Sequence, residues 1–332
     1  MDTVLSPLRA EETQKTGTKP RKAKGTGKSK LQFSFSGHET FVFRYAWPKK
    51  AVEAVRLDPM VFQDDAAVVT LGVGKNMVRS IRHWGLVTGI LTDADVARGQ
   101  GVCVTPLGDL LFGEGGKDPY LEDQNTLWLL HWNLCRQEHR CTTWQWAFNS
   151  LPSNEFTRDS LYDLINGLLR QKQAALPSEG ILRRDIEIFI RTYVASSGSK
   201  NSVIEDSLDC PLVELQLVED RGQSKHFQLR RGPKPSLDDY LFLYALLEFW
   251  QAVAPERDTL AVSDIAYRAG SPGSIFKLDE MSILERLERL DFLSQGTMSY
   301  GETAGVRQVY RRGRKAPLDV LAHYYDSQCI GA

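Results

Sequence analysis

The chain has 332 residues, of which 42% are hydrophobic and 25% are charged, and its formal net charge is −1. This composition is typical of a soluble globular protein with about two domains and a large core, and it excludes a protein that holds nucleic acid by a global positive charge. No apolar run approaches the about 20 residues of a membrane helix and no secretory apolar segment follows Met1, so the sequence predicts a cytoplasmic protein.

The first 30 residues concentrate positive charge. Seven lysines and arginines and no acidic residue lie between Lys15 and Lys30, mixed with glycine, threonine and proline. Such a segment cannot bury enough apolar surface to fold, so residues 1–30 are predicted to be a disordered basic tail. It is either a solubilising tail or an arm that holds DNA phosphates, and the concentration of charge favours the arm.

Residues 31–120 are predicted to form a winged helix-turn-helix domain that binds DNA. One helix is expected from Trp47 to Val55 and a second within Asp64–Thr70. Gly72 and Gly74 supply the backbone freedom for a tight turn before a third helix.

The third helix, from Lys75 to Trp84, is amphipathic and basic. Val78 and Ile81 fall on its apolar side, and the cationic residues recur at helical spacing on another side. Its predicted DNA contacts are Lys75, Asn76, Arg79, Arg82 and His83. The alternative is a solvated cationic face that touches no DNA; the glycine turn and the wing that follows favour the DNA reader.

A wing is predicted after this helix. Val102–Phe112 is a short β-like run followed by a Thr-x-x-Gly entry into an apolar helix, which resembles the wing strand and closing helix of winged-helix domains. Gly99 and Gly101 lie at the wing with Arg98, which is a further predicted DNA contact.

Residues 121–200 are predicted to form a helical domain. Asn125–Trp146 is dense in tryptophan and leucine at helical spacing, which indicates core rather than a platform for stacking bases. Further helices are expected at Phe156–Leu169 and Ile181–Tyr193, and the polar segment Ala195–Ser202 is a candidate boundary.

Residues 201–332 are predicted to be helical with a second winged helix. The expected elements are a hairpin within Leu215–Leu229, helices at Leu237–Val253, Val262–Arg268 and Asp279–Leu290, and a hairpin formed by Phe292–Met298 and Val306–Arg311. Ser236 is the predicted N-cap of the long helix. Arg307 and Arg311 make this end basic and are predicted DNA contacts; the alternative is a module for packing or dimerisation. The fold class is therefore mainly α with small β wings, or α+β.

Several strings of the sequence are similar to a known bacterial family. They are Phe35–Trp47, which contains Gly-His-Glu-Thr-Phe, and Leu71–Trp84, with supporting pieces at Arg184–Tyr193, Glu205–Leu215 and Ser271–Glu280. Over about Phe35 to Arg311 the chain resembles the SspB-like family, bacterial proteins with a domain of unknown function that belong to the Ssp single-strand DNA phosphorothioation and phage-defence system. The basic tail is not part of the shared pattern.

This resemblance implies a function and partners. It implies that the protein acts with a cysteine desulfurase, an ATP pyrophosphatase-like sulfur-transfer enzyme and an ATPase, which replace a non-bridging phosphate oxygen in one DNA strand by sulfur. It also implies that the protein nicks one strand of duplex DNA to allow sulfur incorporation. The sequence leaves open whether the protein forms a homodimer.

Nicking a phosphodiester needs a nucleophile, usually water activated by a metal ion such as Mg²⁺ or Mn²⁺. Because the sequence carries no recognised nuclease signature, the candidates are chosen by residue type. His38 is the candidate general base, with Glu39 beside it, and Arg44 is a candidate phosphate clamp. The alternative, which the sequence favours, is that His38 and Glu39 are hydrogen-bonded structural residues.

The predicted metal ligands, for Mg²⁺ or Mn²⁺, are Glu205, Asp206 and Asp209, which cluster where a loop enters a helix. The alternative is that these carboxylates only favour a helix N-terminus electrostatically. Asp185 and Glu187 are two residues apart, so on the predicted helix their side chains diverge and make a poor metal pair.

The five cysteines contain no Cys-x-x-Cys pair, which makes a zinc ribbon or a disulfide framework a poor interpretation. Cys210 is a candidate sulfur relay, but its apolar neighbours favour a buried thiol.

Two functions from different classes remain. One is a metal-dependent nickase that opens a strand for sulfur insertion, which the resemblance favours. The other is a non-catalytic DNA-binding adaptor that recruits the sulfur-transfer enzymes, which the strong reader elements and the missing nuclease signature favour.

Overall fold

The periodic stretches of the sequence become helices, joined by short antiparallel sheets, in the computed structural model of the protein. The structure describes residues 33–94, 101–195, 210–222 and 225–329. Its mixture of helices with small antiparallel sheets confirms the predicted α+β class.

The N-terminal part is built around a short helix, a turn and a long helix. Its elements are α1 (Trp47–Leu57), α2 (Ala67–Leu71), α3 (Lys75–Val87), β1 (Leu91–Asp93), β2 (Val102–Val104) and α4 (Pro106–Phe112). Gly72 ends α2 in the left-handed conformation, with φ of 64°, which glycine adopts without strain. β1 and β2 pair antiparallel, with Leu91 opposite Val104. The second helix starts three residues later than the predicted Asp64, because the Asp64 carboxylate accepts the Ala66 N–H at 2.8 Å and forms a turn.

The middle of the chain is helical. Its elements are α5 (Gln124–Leu134), α6 (Thr142–Ser150), β3 (Glu155–Phe156), α7 (Arg158–Gln171) and α8 (Glu179–Tyr193). Trp128, Trp132, Trp144 and Trp146 are each at most 2% exposed, which confirms that this aromatic stretch is core.

The C-terminal part alternates helices with two three-stranded sheets. Its elements are β4 (Val218–Asp220), β5 (Phe227–Leu229), α9 (Asp239–Val253), β6 (Thr259–Ala261), α10 (Val262–Tyr267), α11 (Pro272–Ile275), α12 (Glu280–Glu288), α13 (Leu290–Leu293), β7 (Met298–Thr303), β8 (Val306–Arg311) and α14 (Pro317–Cys329). β5 lies between β3 and β4, and β8 lies between β6 and β7, with antiparallel neighbours throughout.

Two local predictions in this part are wrong. The N-cap of α9 is Asp238, whose carboxylate accepts the Tyr240 N–H at 2.7 Å, while Ser236 Oγ accepts a bond from Trp128 Nε1. The predicted strand from Phe292 is helical up to Leu293, and β7 begins only at Met298.

One helix, α14, has no counterpart in the sequence analysis. The Tyr324 hydroxyl accepts from Asn125 Nδ2, and the Tyr325 hydroxyl bonds to Thr126 Oγ1, each at 2.8 Å. These bonds join α14 to the first turn of α5, 199 residues away in sequence.

By its internal contacts the chain divides into Met1–Leu31 and Gln32–Ala332, and every described residue belongs to the second unit. The finer division at residues 120 and 200 stays a prediction. None of the described helices is both long enough and apolar enough to cross a membrane.

Candidate nucleic-acid interface

A tightly turned loop, Ser36–Thr40, lies a few residues before α1, which begins at Trp47. Ser36, Glu39 and Thr40 have positive φ values of 67°, 49° and 71°, which side-chain-bearing residues rarely adopt. Backbone bonds from Glu39 N to Ser36 O and from Phe41 N to His38 O close two successive turns. Each residue with such a positive φ costs about 1–3 kcal/mol of folding free energy, so the surrounding structure has to hold the loop in place.

A buried pair, His38 and Asp185, provides that hold. The side chain of His38 is 1% exposed, and its Nε2 lies 2.8 Å from Asp185 Oδ1 in α8. His38 Nδ1 accepts the Thr40 N–H at 3.1 Å, so Nε2 carries the proton and donates to Asp185. The carboxylate also accepts the Ser36 N–H at 2.6 Å and the Thr143 hydroxyl of α6.

Both nitrogens of the His38 ring are thus engaged inside the protein. This geometry favours the structural alternative for His38, because neither nitrogen is left to take a proton from an attacking water. A part in proton transfer stays a prediction. The side chains of Asp185 and Glu187 diverge as expected, since Glu187 pairs with Arg158 at 2.8 Å on a partly exposed surface.

The same loop fixes α3. Ser80 Oγ donates to the His38 carbonyl at 2.9 Å, and Trp84 Nε1 donates to the Phe41 carbonyl at 3.1 Å. Val78, Ile81 and Trp84 are at most 5% exposed, so the predicted apolar side of the helix is confirmed as its buried side. The opposite side of α3 is therefore presented in one orientation.

The exposed side carries Lys75, Asn76 and Arg79, with Arg82 half-buried beside them. The three charged side chains on this side of α3, those of Lys75, Arg79 and Arg82, each have a carboxylate partner. The pairs are Lys75 with Asp65 at 3.0 Å, Arg79 with Glu39 at 3.5 Å and Arg82 with Asp93 at 3.1 Å. Exposed pairs of this kind contribute about 0–1 kcal/mol, so a phosphate group can take the place of the carboxylate at little cost.

Three guanidinium groups, from Arg79, Arg82 and Arg140, converge on one pocket of about 290 Å³. We call it the arginine pocket. Arg140 follows α5 and was not among the predicted contacts; it shares the carboxylate of Asp93 with Arg82. With Glu39 as the other acidic neighbour, the three cations face two carboxylates, which leaves a local excess of positive charge.

His83 lines the arginine pocket but adds no charge to it at neutral pH. Its Nε2 is buried and has no hydrogen-bond partner among the described residues. Burial, together with the nearby His38, lowers the pKa of His83 from 6.5 to about 3. The ring packs against Gly37, where an added Cβ would lie 2.4 Å from His83 Nδ1.

The three predicted catalytic side chains face three different neighbours. His38 faces Asp185 and Glu39 faces Arg79, while the Arg44 guanidinium lies over the rings of Phe41 and Trp47, 5.8 and 5.4 Å from their centroids. A joint catalytic role for His38, Glu39 and Arg44 stays a prediction.

Arg307 and Arg311, the two predicted DNA contacts of the C-terminal part, bind to groups within that part of the chain. Arg307 pairs with Glu280 at 3.0 Å and with Glu302 at 2.9 Å. Arg311 donates to the carbonyls of Pro255 and Arg257, both at 2.9 Å, and lies over the Trp250 ring.

The exposed face of α12 carries Glu285 and Glu288. An acidic helix repels DNA phosphates. This surface therefore favours the alternative of packing or dimerisation for the second module, and DNA contact by Arg307 and Arg311 stays a prediction.

The predicted metal ligands Glu205, Asp206 and Asp209, and the wing residue Arg98, lie outside the described residues. Within the part that the structure describes, no group of three or more histidine, cysteine or acidic side chains could hold a metal ion. Cys210 is 2% exposed, which confirms the buried thiol.

A family model and two solved structures that match the chain indicate the same family. A family model described as "Protein of unknown function (DUF4007)" matches residues 35–325. A crystal structure of SspB with a bound magnesium ion is 31% identical, covers 88% of each chain and has a TM-score of 0.80. A second SspB crystal structure has the same identity and coverage and a TM-score of 0.79. A comparison with curated proteins gave no match. The chain therefore belongs to the SspB-like family, which the DUF4007 model describes.

Proposed function

We propose that the protein binds duplex DNA through α3, as a component of a bacterial DNA phosphorothioate-modification and phage-defence system. Membership of the SspB-like family supports the place in that system. The observation that carries the DNA-binding proposal is the exposed side of α3, where Lys75, Asn76 and Arg79 project beside the arginine pocket.

The order of elements supports a winged-helix interpretation of the first module. α1, α2 and α3 are followed by the antiparallel pair β1–β2 and then by α4, which is the order of three helices and a wing. In such modules the third helix enters the major groove, so Arg79 and Arg82 would reach the phosphates or base edges there. Arg98 is proposed as a further DNA contact.

A second winged helix is proposed at the C-terminal end. There α9, β6, α10 and α12 precede the hairpin β7–β8, and β6 joins the sheet beside β8. Because α12 presents glutamates, this module is proposed to contact protein, either a second copy of the chain or another component of the system. The components implied by the resemblance are a cysteine desulfurase, an ATP pyrophosphatase-like sulfur-transfer enzyme and an ATPase, and this protein is proposed to be cytoplasmic.

Nicking of one strand is the second part of the proposal. One of the similar SspB crystal structures has a bound magnesium ion, which supports a divalent metal as part of this proposal. In this chain the carboxylates proposed for Mg²⁺ or Mn²⁺ are Glu205, Asp206 and Asp209, because these hard cations prefer oxygen ligands. The alternative is an adaptor that binds DNA without cutting it.

Two assays separate these functions. Titrating a labelled duplex with the full chain, without a divalent metal, tests binding, and the proposal expects an affinity that falls steeply with salt. Incubating supercoiled plasmid with Mg²⁺ or with Mn²⁺ tests nicking, and open circles lost in Glu205→Gln/Asp206→Asn/Asp209→Asn support the nickase. Binding without open circles in either metal would leave the adaptor, and no binding would remove both functions.

A further inference from the structure

A cationic pocket lies where the C-terminal hairpin leads into α14. Its volume is about 400 Å³, and its walls come from α9, from the end of β8 and from the start of α14. Three cations line it, Arg311, Arg314 and Lys315, and no carboxylate is among the described residues that do. We call it the C-terminal pocket.

The partners of these three cations are mostly neutral. Arg311 and Arg314 donate to the Pro255 carbonyl at 2.9 and 3.2 Å, and Lys315 donates to a side-chain amide at 3.1 Å. Among the described residues one carboxylate reaches them, that of Glu256, 3.5 Å from Arg314, and this pair is exposed on both sides. Because such an exposed pair is weak, the pocket keeps an excess of positive charge for another anion.

The solvent side of α12 and α13 carries two glutamates between two large apolar side chains. The four residues follow one another at steps of four, three and four, which places them on one side of a helix. Arg289, which joins α12 to α13, lies in the right-handed helical region and continues this side. We define the α12 face as Met281, Glu285, Glu288 and Phe292.

The α12 face is open for a contact. Met281 is 66% exposed and Phe292 is 81% exposed, although both are large apolar side chains. Glu285 and Glu288 are exposed, and neither forms a salt bridge with a described residue. An exposed aromatic ring next to unpaired carboxylates is typical of a protein-binding surface rather than of one that faces only water.

The α12 face and the C-terminal pocket are neighbours on the molecule. Lys315 of the pocket donates to Gln295 Oε1, three residues after Phe292. The Arg312 N–H, between two lining residues of the pocket, donates to the Thr297 carbonyl at 2.8 Å. The end of the α12 face that carries Phe292 therefore borders the pocket.

A surface that carries both charges side by side is complementary to itself. In a two-fold dimer the same patch of both copies meets, so every contact occurs twice. A two-fold axis near Phe292 places the α12 face of one copy opposite the C-terminal pocket of the other, and the reverse. DNA suits only part of this surface, because its phosphates repel Glu285 and Glu288.

From this arrangement we infer that two copies of the chain associate through the α12 face and the C-terminal pocket. Glu285 and Glu288 of each copy meet Arg314 and Lys315 of the other, and the two Phe292 rings pack together at the axis. The inference rests on the part of the proposed function in which the C-terminal module contacts protein. It is independent of DNA binding by α3.

Reversing the charges gives variants that control each other. Glu285→Lys/Glu288→Lys makes the whole surface cationic, so this variant repels its own copy. Arg314→Glu/Lys315→Glu makes the surface acidic, with the same effect. In an equal mixture the two variants restore opposite charges at both sets of contacts, which a merely damaged protein would not do.

A second pair of variants tests the apolar centre of the surface and covers the case in which a charge-reversed chain fails to fold. Phe292→Asp places a charge at the two-fold axis. Leu57→Asp is the control, because Leu57 is 85% exposed and lies at the end of α1, outside the C-terminal module. Thermal unfolding of each variant establishes that it is folded.

The experiment is sedimentation velocity of the wild-type chain, of each variant and of the equal mixture, from about 1 to about 100 μM. We expect a wild-type dimer that weakens as salt is raised, because salt screens the paired charges. Each charge-reversed variant and Phe292→Asp should dimerise at least about tenfold more weakly, and the mixture should recover the dimer. Leu57→Asp should match the wild-type chain.

Three results would overturn the inference: a wild-type chain that stays monomeric, a dimer that none of the variants weakens, or a mixture that does not recover it. Titration of a labelled duplex with the same variants covers DNA as the other occupant. A monomeric chain whose duplex affinity falls in Arg314→Glu/Lys315→Glu would assign the C-terminal pocket to DNA. DNA binding by α3 is measured separately, with Arg79→Ala/Arg82→Ala, so either proposal can fail alone.

Discussion

His38 donates a hydrogen bond of 2.8 Å to Asp185, which joins the Ser36–Thr40 loop to α8 across 147 residues of sequence. The His38 carbonyl of this loop accepts a bond from Ser80 of α3, and the carbonyl of Phe41, the residue after the loop, accepts one from Trp84. The buried pair therefore supports the orientation in which α3 presents its cationic side.

Asp185→Ala should destabilise the protein by about 3–5 kcal/mol, because it removes a buried carboxylate and leaves three donors without an acceptor. Urea unfolding followed by circular dichroism measures the loss. Glu187→Ala is the control on the same helix, and it should cost less than about 1 kcal/mol since its pair with Arg158 is partly exposed. Equal losses in the two variants would contradict a supporting role for the pair.

Gly37→Ala should also destabilise the protein, by about 1–3 kcal/mol, because the new Cβ would lie 2.4 Å from His83 Nδ1 in a packed region. Gly167→Ala is the control: it lies at an exposed position inside α7, nothing lies within 4 Å of the added Cβ, and alanine favours a helix over glycine, so it should not destabilise the protein. A neutral Gly37→Ala would mean that the loop and α3 do not pack as closely as described.

Stability should fall on acidification below the ordinary pKa of histidine. Burial lowers the pKa of both His83 and His131 from 6.5 to about 3, so only the unfolded chain takes up their protons between these values. Their contribution is fully present above pH 6.5 and is lost as the pH falls toward about 3, at about 1.4 kcal/mol per pH unit for each group.

Urea unfolding at neutral pH and at about pH 5 measures this slope. The variant His83→Gln should lose about half of the part of the slope that is due to the two histidines. A slope that His83→Gln does not alter would show that His83 can be protonated in the folded protein.

Asp93→Ala should strengthen duplex binding, because Asp93 holds both Arg82 and Arg140 at the arginine pocket. Releasing two guanidinium groups should lower the dissociation constant by about threefold to tenfold, and more at low salt than at high salt. The control is Asp159→Ala on α7. It removes an exposed carboxylate that pairs with Arg183 of α8, and it should leave duplex binding unchanged. Weaker binding by Asp93→Ala would indicate that Asp93 positions the arginines for DNA rather than competing with it.

The sequence predicted those parts of the fold that depend on local pattern. The apolar period of Val78 and Ile81 located α3, and the tryptophan-rich stretch located the core, because each signal lies within a short continuous segment of the chain. The pairing of His38 with Asp185 was not predicted, although the two lie in separate strings of the family resemblance, because a single sequence does not show which distant segments meet.

The carboxylate partners of the cations on α3 were missed for the same physical reason. Glu39, Asp65 and Asp93 come from a loop, from the segment before α2 and from a strand, and only the folded chain brings them to the helix. Arg140 is a further residue that tertiary structure alone adds to the pocket. The lowered pKa of His83 likewise follows from burial, which the cationic spacing along the helix does not reveal.

The most direct test of DNA binding by α3 is the salt dependence of duplex affinity in Arg79→Ala/Arg82→Ala, measured by fluorescence anisotropy. If both arginines contact phosphates, binding weakens at every salt concentration and the slope of log K against log salt decreases by about 2. Arg170→Ala/Arg183→Ala, with both changes at exposed positions of α7 and α8, is the control and should match the wild-type chain. Unchanged affinity and slope in Arg79→Ala/Arg82→Ala would contradict the account and remove α3 from the DNA interface.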